Sequence, residues 1–222
     1  MGSEVRILSG AMLLETYCSG PALTNGILLA CMQTHKAAII DAPQGSAQQL
    51  IDRVKELGLE VEYLLLTHSH WDHTADAEVL KRELNIPLYV HKLDAKNVEE
   101  PGYDGLPLLI EIPKAKVDHF LEEGQSLKLG ELTIQVLHTP GHSPGGVCFY
   151  LKEQNTLISG DTLFQGSIGN LSLPTSEPEK MWPSLEKLAK LPPNTRVIPG
   201  HGDETNIGDE EWLPNAKQYF GG

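Results

Sequence analysis

Cysteine is scarce in this chain: Cys18, Cys31 and Cys148 are its only three among 222 residues, odd in number and widely spaced. That excludes a disulfide framework and a zinc knuckle of closely spaced thiolates, and it suits a reducing compartment, so a cytoplasmic protein is expected. Basic residues are also few, with 17 Lys and Arg against 30 Asp and Glu and a net charge of −13. Nucleic-acid binders draw most of their affinity from Lys and Arg on phosphates, so no nucleic-acid partner is expected. Long apolar runs are missing too: no stretch approaches the roughly 18 to 20 residues of a membrane span. The opening Met-Gly-Ser-Glu-Val-Arg-Ile-Leu has no charged segment followed by an apolar core. Neither secretion nor membrane insertion is expected. Low-complexity tracts, linkers and internal repeats are likewise absent.

What is present is a chain that is 40 % hydrophobic and long enough to bury a full core. The expectation is a single domain spanning residues 1–222. Short apolar stretches at Val5 to Leu8, Met12 to Tyr17, Ile27 to Met32 and Ala37 to Ile40, separated by turns at Gly10, Gly20-Pro21 and Gly26, read as strands. Ser46 with Gln49 reads as a capping box opening a helix, with Ala47, Leu50, Ile51, Val54 and Leu57 on one face and Gly58 as the stop. A strand at Tyr63 to Leu66 and a helix from Thr74 with Ala77, Leu80 and Leu84 inward come next. After a strand at Leu88 to Val90, the Pro- and Gly-rich segment from Glu99 to Val117 reads as a loop or lid bearing on selectivity through Tyr103, Lys114 and Lys116. Strands recur at Leu132 to Leu137, Val147 to Leu151, Thr156 to Ser159 and Arg196 to Ile198. A last long helix is expected to open at Ser176, with Glu179 completing its capping box and Met181, Leu185 and Leu188 inward. Two sheets with helices outside are the favoured α/β architecture.

The densest chemistry lies in Thr67-His-Ser-His-Trp-Asp-His-Thr74, where His68, His70, Asp72 and His73 fall within six positions. Three further residues of metal-ligand type sit in glycine-containing loops after strands: His142 in Thr139-Pro-Gly-His, Asp161 in Ser159-Gly-Asp-Thr162 and His201 in Pro199-Gly-His-Gly202. Glycine lets a backbone turn tightly and bring a short side chain to a common point. Imidazole suits zinc or iron, and a carboxylate suits a bridging position between two cations. Single histidines elsewhere lack such support. His35, His91 and His119 read as surface or packing residues, and His138, just before the Pro-Gly-His turn, is a candidate for hydrogen bonding behind the site. Trp71 and Cys148 read as packing residues. Asp203, Glu204, Asp209, Glu210 and Glu211 read as a solvated acidic surface.

Together these motifs resemble the metallo-β-lactamase-fold hydrolases, over most of the chain from about Leu23 to His201. The resemblance implies a four-layer αβ/βα sandwich with metals at the edge between the sheets. It implies that His68, His70 and His142 bind one divalent metal ion, that Asp72, His73 and His201 bind a second, and that Asp161 bridges both. Zinc is the expected metal, with iron and manganese compatible with the same donors. Two cations about 3.5 to 4 Å apart share a hydroxide whose parent water has its pKa lowered to about 7. The implied reaction is hydrolysis by that bridging hydroxide, with Asp72 as the catalytic residue that orients it and takes its proton.

Within the superfamily, Gly160-Asp-Thr-Leu-Phe-Gln-Gly-Ser-Ile-Gly169 and Pro-Gly-His-Gly-Asp-Glu-Thr205 are most similar to short glyoxalase II-like thioesterases of the hydroxyacylglutathione hydrolase type. The implied partner is a small-molecule thioester or ester. Two departures concern the substrate. About twenty residues follow His201, whereas full-length glyoxalase II carries a C-terminal helical domain with basic groups for glutathione, and Asn170 stands where relatives tend to have arginine. The β-lactam-hydrolysing members generally lack a bridging aspartate, so Asp161 counts against them. Acyl-homoserine lactonases need similar metal chemistry. A second reading is a mononuclear iron persulfide dioxygenase held by His68, His142 and Asp161. A third, non-enzymatic reading is a metal-binding scaffold, against which all seven ligand positions remain filled. Oligomeric state is left open.

Overall fold

The computed structural model describes residues 5–8, as backbone, and 12–221. The expected turn at Gly10 lies outside the described residues. Seven strands form the first sheet in chain order: β1 (Val5–Leu8), β2 (Met12–Ser19), β3 (Thr24–Cys31), β4 (Lys36–Ile40), β5 (Glu60–Leu65), β6 (Leu88–His91) and β7 (His119–Leu121). The first four pair antiparallel, and β4 to β7 pair parallel. Crossovers between the parallel strands carry α1 (Ala47–Glu56), the short α2 (Trp71–Thr74), α3 (Ala77–Leu84) and α4 (Ala95–Glu99). The second sheet contains β8 (Ser126–Leu129), β9 (Leu132–His138), β10 (Val147–Leu151) and β11 (Thr156–Gly160). A separate hairpin, β12 (Leu163–Phe164) and β13 (Ser167–Ile168), precedes α5 (Pro178–Leu188). The second sheet is completed by β14 (Arg196–Pro199) and β15 (Thr205–Asn206), in the order β15-β14-β11-β10-β9-β8, and α6 (Ala216–Phe220) follows.

Three apolar layers explain the stacking. Strand β3 is buried along its whole length because it has packing on both faces. Its Leu28 and Ala30 join Leu50, Ile51 and Val54 of α1 and Leu80 of α3. Its Ile27 and Leu29 meet Ile134, Val136 and Phe149 of the second sheet. On the far side, Cys148, Leu157 and Val197 pack on Met181, Trp182, Leu185 and Leu188 of α5. Helix, sheet, sheet, helix is therefore the order of layers, as expected for the αβ/βα sandwich. A side chain as fully buried as Leu28 or Leu29 contributes on the order of 2 kcal/mol, so the central layer is the principal source of cohesion.

The two capping boxes do not form. The Ser46 backbone is already helical and its side chain makes no capping bond. The Ala47 N–H is instead donated to Asp76 Oδ2 at 2.9 Å, an anion brought from the α2–α3 junction to the start of α1. The last long helix begins at Pro178 rather than Ser176. The Ser176 hydroxyl donates to the carbonyl oxygen of His142 at 2.9 Å, so tertiary structure has claimed the expected cap. The second helix is likewise interrupted: α2 ends at Thr74 and α3 starts at Ala77, with Ala77 and Leu80 buried.

Strand direction sets the position of the candidate site. Because β4, β5 and β6 are parallel, the segments after them, beginning at Asp41, Leu66 and Lys92, emerge at one edge. In the second sheet β9, β11 and β14 run the same way, so the loops bearing His142, Asp161 and His201 emerge together as well. The edges are stitched by backbone bonds from Val147 N to Thr67 O and from Asn25 N to Gly200 O, both 2.8 Å. Ligands of open α/β sheets gather at such carboxyl ends.

Candidate metal centre

All seven residues singled out in the sequence converge at this edge. Their donor atoms form three groups within 4.8 Å: His68, His70 and His142; His68, His73 and Asp161; and Asp72, His73 and His201. The imidazoles are aimed by partners on their other nitrogens. His73 Nδ1 donates to Asp41 Oδ2 at 2.8 Å, His142 Nδ1 to the carbonyl of Asn170 at 2.9 Å, and His201 Nδ1 to the carbonyl of Ala22 at 3.1 Å. The Thr67 hydroxyl gives its proton to Asp41, so its oxygen receives His68 Nδ1–H at 3.1 Å. Each bond commits Nδ1 as a donor and aims Nε2 at the centre. His70 faces inward through Nδ1 instead, 2.8 Å from His142 Nε2.

Asp161 sits between the groups. Its Oδ1 lies 3.3 Å from His73 Nε2, and its Oδ2 lies 3.3 Å from His142 Nε2 and 3.5 Å from His201 Nε2. Asp72 Oδ2 lies 3.2 Å from His201 Nε2 and accepts a 2.8 Å hydrogen bond from Thr24 Oγ1.

The electrostatics follow from packing this many polar groups under cover. Burial, reinforced by neighbouring imidazoles, holds His68 well below its usual range and His70 at about 3, so both stay neutral with lone pairs intact. Burial alone would raise Asp161 and Asp72, but His73 and the hydrogen bonds to His201 keep both ionised. Burial likewise opposes protonation of His73 and His201, yet the carboxylates win: His73 is raised well above its usual range and His201 to about 9. The protein's own protons thus neutralise a carboxylate-rich pocket that calls for cations.

The donor set fits a metal on a further count. His68 Nε2 is buried without a hydrogen-bond partner, and Asp161 Oδ1, equally buried, has only the 3.3 Å ion pair with His73. Buried polar atoms ordinarily find partners, and orphaned donors facing one another are the mark of a cation site.

Several positioning residues escape sequence inspection. Asp41, 1 % exposed, also accepts the Thr67 backbone N–H at 2.8 Å and so holds the start of the histidine loop. Asn25 Nδ2 donates to the carbonyls of Pro199 and Gly202, bracing the His201 loop. The only available signal for Asp41 was a lone acid immediately after a buried apolar strand. Asn170 holds His142 through its backbone carbonyl, a contact independent of its side chain, whose oxygen accepts from Ser172 N.

Other expected roles divide. Cys148 is buried, its thiol pushed up to about 11 by burial, and it donates to the Ser159 carbonyl. Glu210 departs from the expected solvated acidic surface: it is 4 % exposed and accepts from Thr205 Oγ1, Trp212 Nε1 and Gly166 N. The segment after α4 lacks regular structure from residue 100 to 118, as expected, with Tyr103 exposed beneath the Lys96 ammonium at 3.9 Å. Inside it, Asp104 accepts from Asn97 Nδ2, which also donates to the Ser69 carbonyl between the first two histidines.

His138 Nε2 donates to the Pro144 carbonyl at 3.0 Å, and its ring stacks on His91 at 4.1 Å. His91 is buried, and burial followed by the charges of His138 and Lys92 brings its pKa down to about 4. The unfolded chain binds this proton near pH 6.5 while the native chain refuses it, so stability is full above that pH and declines as pH falls toward 4. After allowance for solvent screening, His91→Asn is expected to remove about 1 kcal/mol of the stability difference between pH 7.5 and pH 5. Urea melts of the two proteins at both pH values, with metal removed, check it; an unchanged pH dependence would contradict it.

A two-sheet sandwich with clustered histidines and carboxylates at its edge defines the class of metallo-hydrolases. The chain belongs to the metallo-beta-lactamase superfamily, whose family model matches residues 20–201 and so spans all seven residues of the centre. It is 37 % identical over 187 residues to the hydroxyacylglutathione hydrolase GloC of Haemophilus influenzae, covering 79 % of this chain and 84 % of that one. Among solved structures it is similar to the B3 metallo-beta-lactamase BLEG-1, at 36 % identity and a TM-score of 0.83 over 90 % of this chain and 99 % of that one. It is also similar to TTHA1623 in a di-iron-bound form, at 38 % identity and a TM-score of 0.75 over 88 % of this chain and 96 % of that one. Among the described residues, no helix is long and apolar enough to cross a membrane.

Proposed function

We propose that the protein is a dinuclear metal-dependent hydrolase of a small thioester, of the hydroxyacylglutathione type. The observation that carries the dinuclear reading is Asp161, whose two oxygens face His73 on one side and His142 on the other. His68, His70 and His142 would hold one divalent cation, and Asp72, His73 and His201 the other, with Asp161 shared. When bound, such a pair supplies a water made acidic enough to attack at neutral pH and an electrophilic partner for the substrate carbonyl.

The chain's own groups do the rest. Asp72 stays ionised, is oriented by Thr24, and serves as acceptor for a proton leaving the attacking water. His68 and His70, kept neutral by burial, retain their lone pairs at any physiological pH. Exposed Leu23 forms the tip of the hairpin whose neighbours, Ala22 and Thr24, hold His201 and Asp72, so it stands at the rim where a substrate enters. The name of the GloC relative supports a thioester. The net charge of −13 favours a small molecule over nucleic acid as partner. Zinc is the expected metal, and the di-iron form of TTHA1623 makes iron the alternative to test.

Metal analysis joined to a lactoylglutathione assay tests the reading. The protein should carry about two metal ions per chain, cleave the thioester, lose activity on chelation and regain it with added metal. One iron per chain, with oxygen uptake on glutathione persulfide and no thioester cleavage, would overturn it in favour of the dioxygenase. The likeness to BLEG-1 makes a chromogenic β-lactam the necessary control substrate. Faster turnover of that compound than of the thioester would also displace the proposal.

A further inference from the structure

Asp94 follows β6, is 2 % exposed, and is not among the seven residues of the centre. Its carboxylate joins two loops that are far apart in sequence. Oδ2 accepts the backbone N–H of Ser69 at 2.9 Å, and Oδ1 accepts that of Gly145 at 2.6 Å. Ser69 lies between His68 and His70; Gly145 lies three residues after His142. The carboxylate therefore spans the two segments that supply the three-histidine group.

The surroundings are shaped around this contact. A Cβ on Gly145 would fall 2.5 Å from Asp94 Oδ1, so only glycine lets the backbone come this close. The Ser69 peptide is gripped on its other side as well, because its carbonyl accepts from Asn97 Nδ2 at 2.8 Å. Asn97 lies one turn along α4 from Asp94, so one short helix start holds the two successive peptide groups that flank Ser69. Asp41, by contrast, serves both groups, holding the His73 ring directly and His68 through the Thr67 hydroxyl.

We infer that Asp94 is a positioning residue dedicated to the three-histidine metal site, setting the separation of the His68–His70 segment from the His142 loop. The inference rests on the dinuclear reading above. Asparagine at position 94 presents one acceptor and one amine, so one of the two backbone N–H groups loses its partner and the loops come apart. Groups that orient metal ligands typically account for about 10- to 100-fold in metal affinity, and the loss should fall on one site only.

The test uses the full chain with zinc alone as probe. Competition with a chromophoric chelator measures the affinities, and imidazole 15N NMR reports which histidines have bound. In Asp94→Asn, zinc that saturates the unaltered protein should leave His68, His70 and His142 free while His73 and His201 stay bound. Asp41→Asn should instead weaken His73 and His68 together, because Asp41 holds one ring directly and the other through Thr67. Gly145→Ala, which drives a methyl group against the Asp94 carboxylate, should reproduce the Asp94→Asn pattern and serves if that variant does not fold. Equal weakening of all five histidines in both position-94 and position-145 variants, or no weakening in either, overturns the inference. Failure of the unaltered protein to bind two zinc ions overturns the dinuclear reading and this inference with it.

Discussion

On the dinuclear hydrolase proposed above, Asp161→Ala is expected to lower turnover of the thioester by about a thousandfold, the equivalent of roughly 4 kcal/mol of lost transition-state stabilisation, and to reduce bound metal from two ions toward one. The carboxylate stands between His73 Nε2 and His142 Nε2, 3.3 Å from each, so no other group can take its place. Its removal also takes away an anion that helps hold His73 and His201 protonated in the metal-free protein. Those rings should then lose their protons at lower pH, which imidazole NMR of the metal-free variant would read directly. Asp161→Asn keeps the shape while removing the charge, and should fall between the two. Steady-state kinetics with metal analysis decide the matter; full activity in the alanine variant would remove Asp161 from the centre.

Gly200→Ala should be nearly as damaging to activity, through a single methyl group. Gly200 is absent from the glycines with positive φ, so alanine fits the backbone. The added carbon would lie 2.2 Å from Asp161 Oδ1 and 2.7 Å from His73 Cε1. The chain cannot retreat easily, since Gly200 N donates to the Gly160 carbonyl and Gly200 O accepts from Asn25 N. The Asp161 carboxylate must therefore move, and activity should drop by about a hundredfold or more, with overpacking destabilising the fold by about 1 to 3 kcal/mol. Gly202→Ala makes the contrast. There the space is open but φ is +73°, so the expected result is about 1 kcal/mol of lost stability with turnover largely kept. Parallel melts and assays of the two variants separate crowding from backbone strain; similar activities would refute the crowding argument.

The two glycines show where sequence reading succeeds and where it stops. The seven metal-type residues stood out because four of them crowd into one short run and His142, Asp161 and His201 each sit beside glycine. The helix over Ala47–Glu56 was legible for a similar reason: Ala47, Leu50, Ile51 and Val54 repeat at helical spacing and are all buried. Asp94 and Thr24 carry no local signal, and Asp41 only that of a lone acid after a buried strand. Each is a common residue whose importance comes from a partner 25 or more positions away: Asp41 to Thr67, Asp94 to Ser69, Thr24 to Asp72. Ser46 and Ser176 failed as caps because tertiary demands outrank local preference. Strands β7, β8, β13 and β15, two to four residues long, have too little pattern of their own and exist through the neighbours they pair with.

The hairpin joining β2 and β3 lies near the beginning of the chain, yet Ala22 and Asn25 are bonded to the loop around His201, near its end. Closing that span of almost 180 residues carries an entropic cost that contacts must repay late in folding. On the ribosome, the first sheet can present His68, His70, Asp72 and His73 long before the final histidine has been synthesised. The bonds from Ala22 and Asn25 to the His201 loop can form only once that loop has been made, so this edge of the sandwich is fastened after the first sheet has emerged.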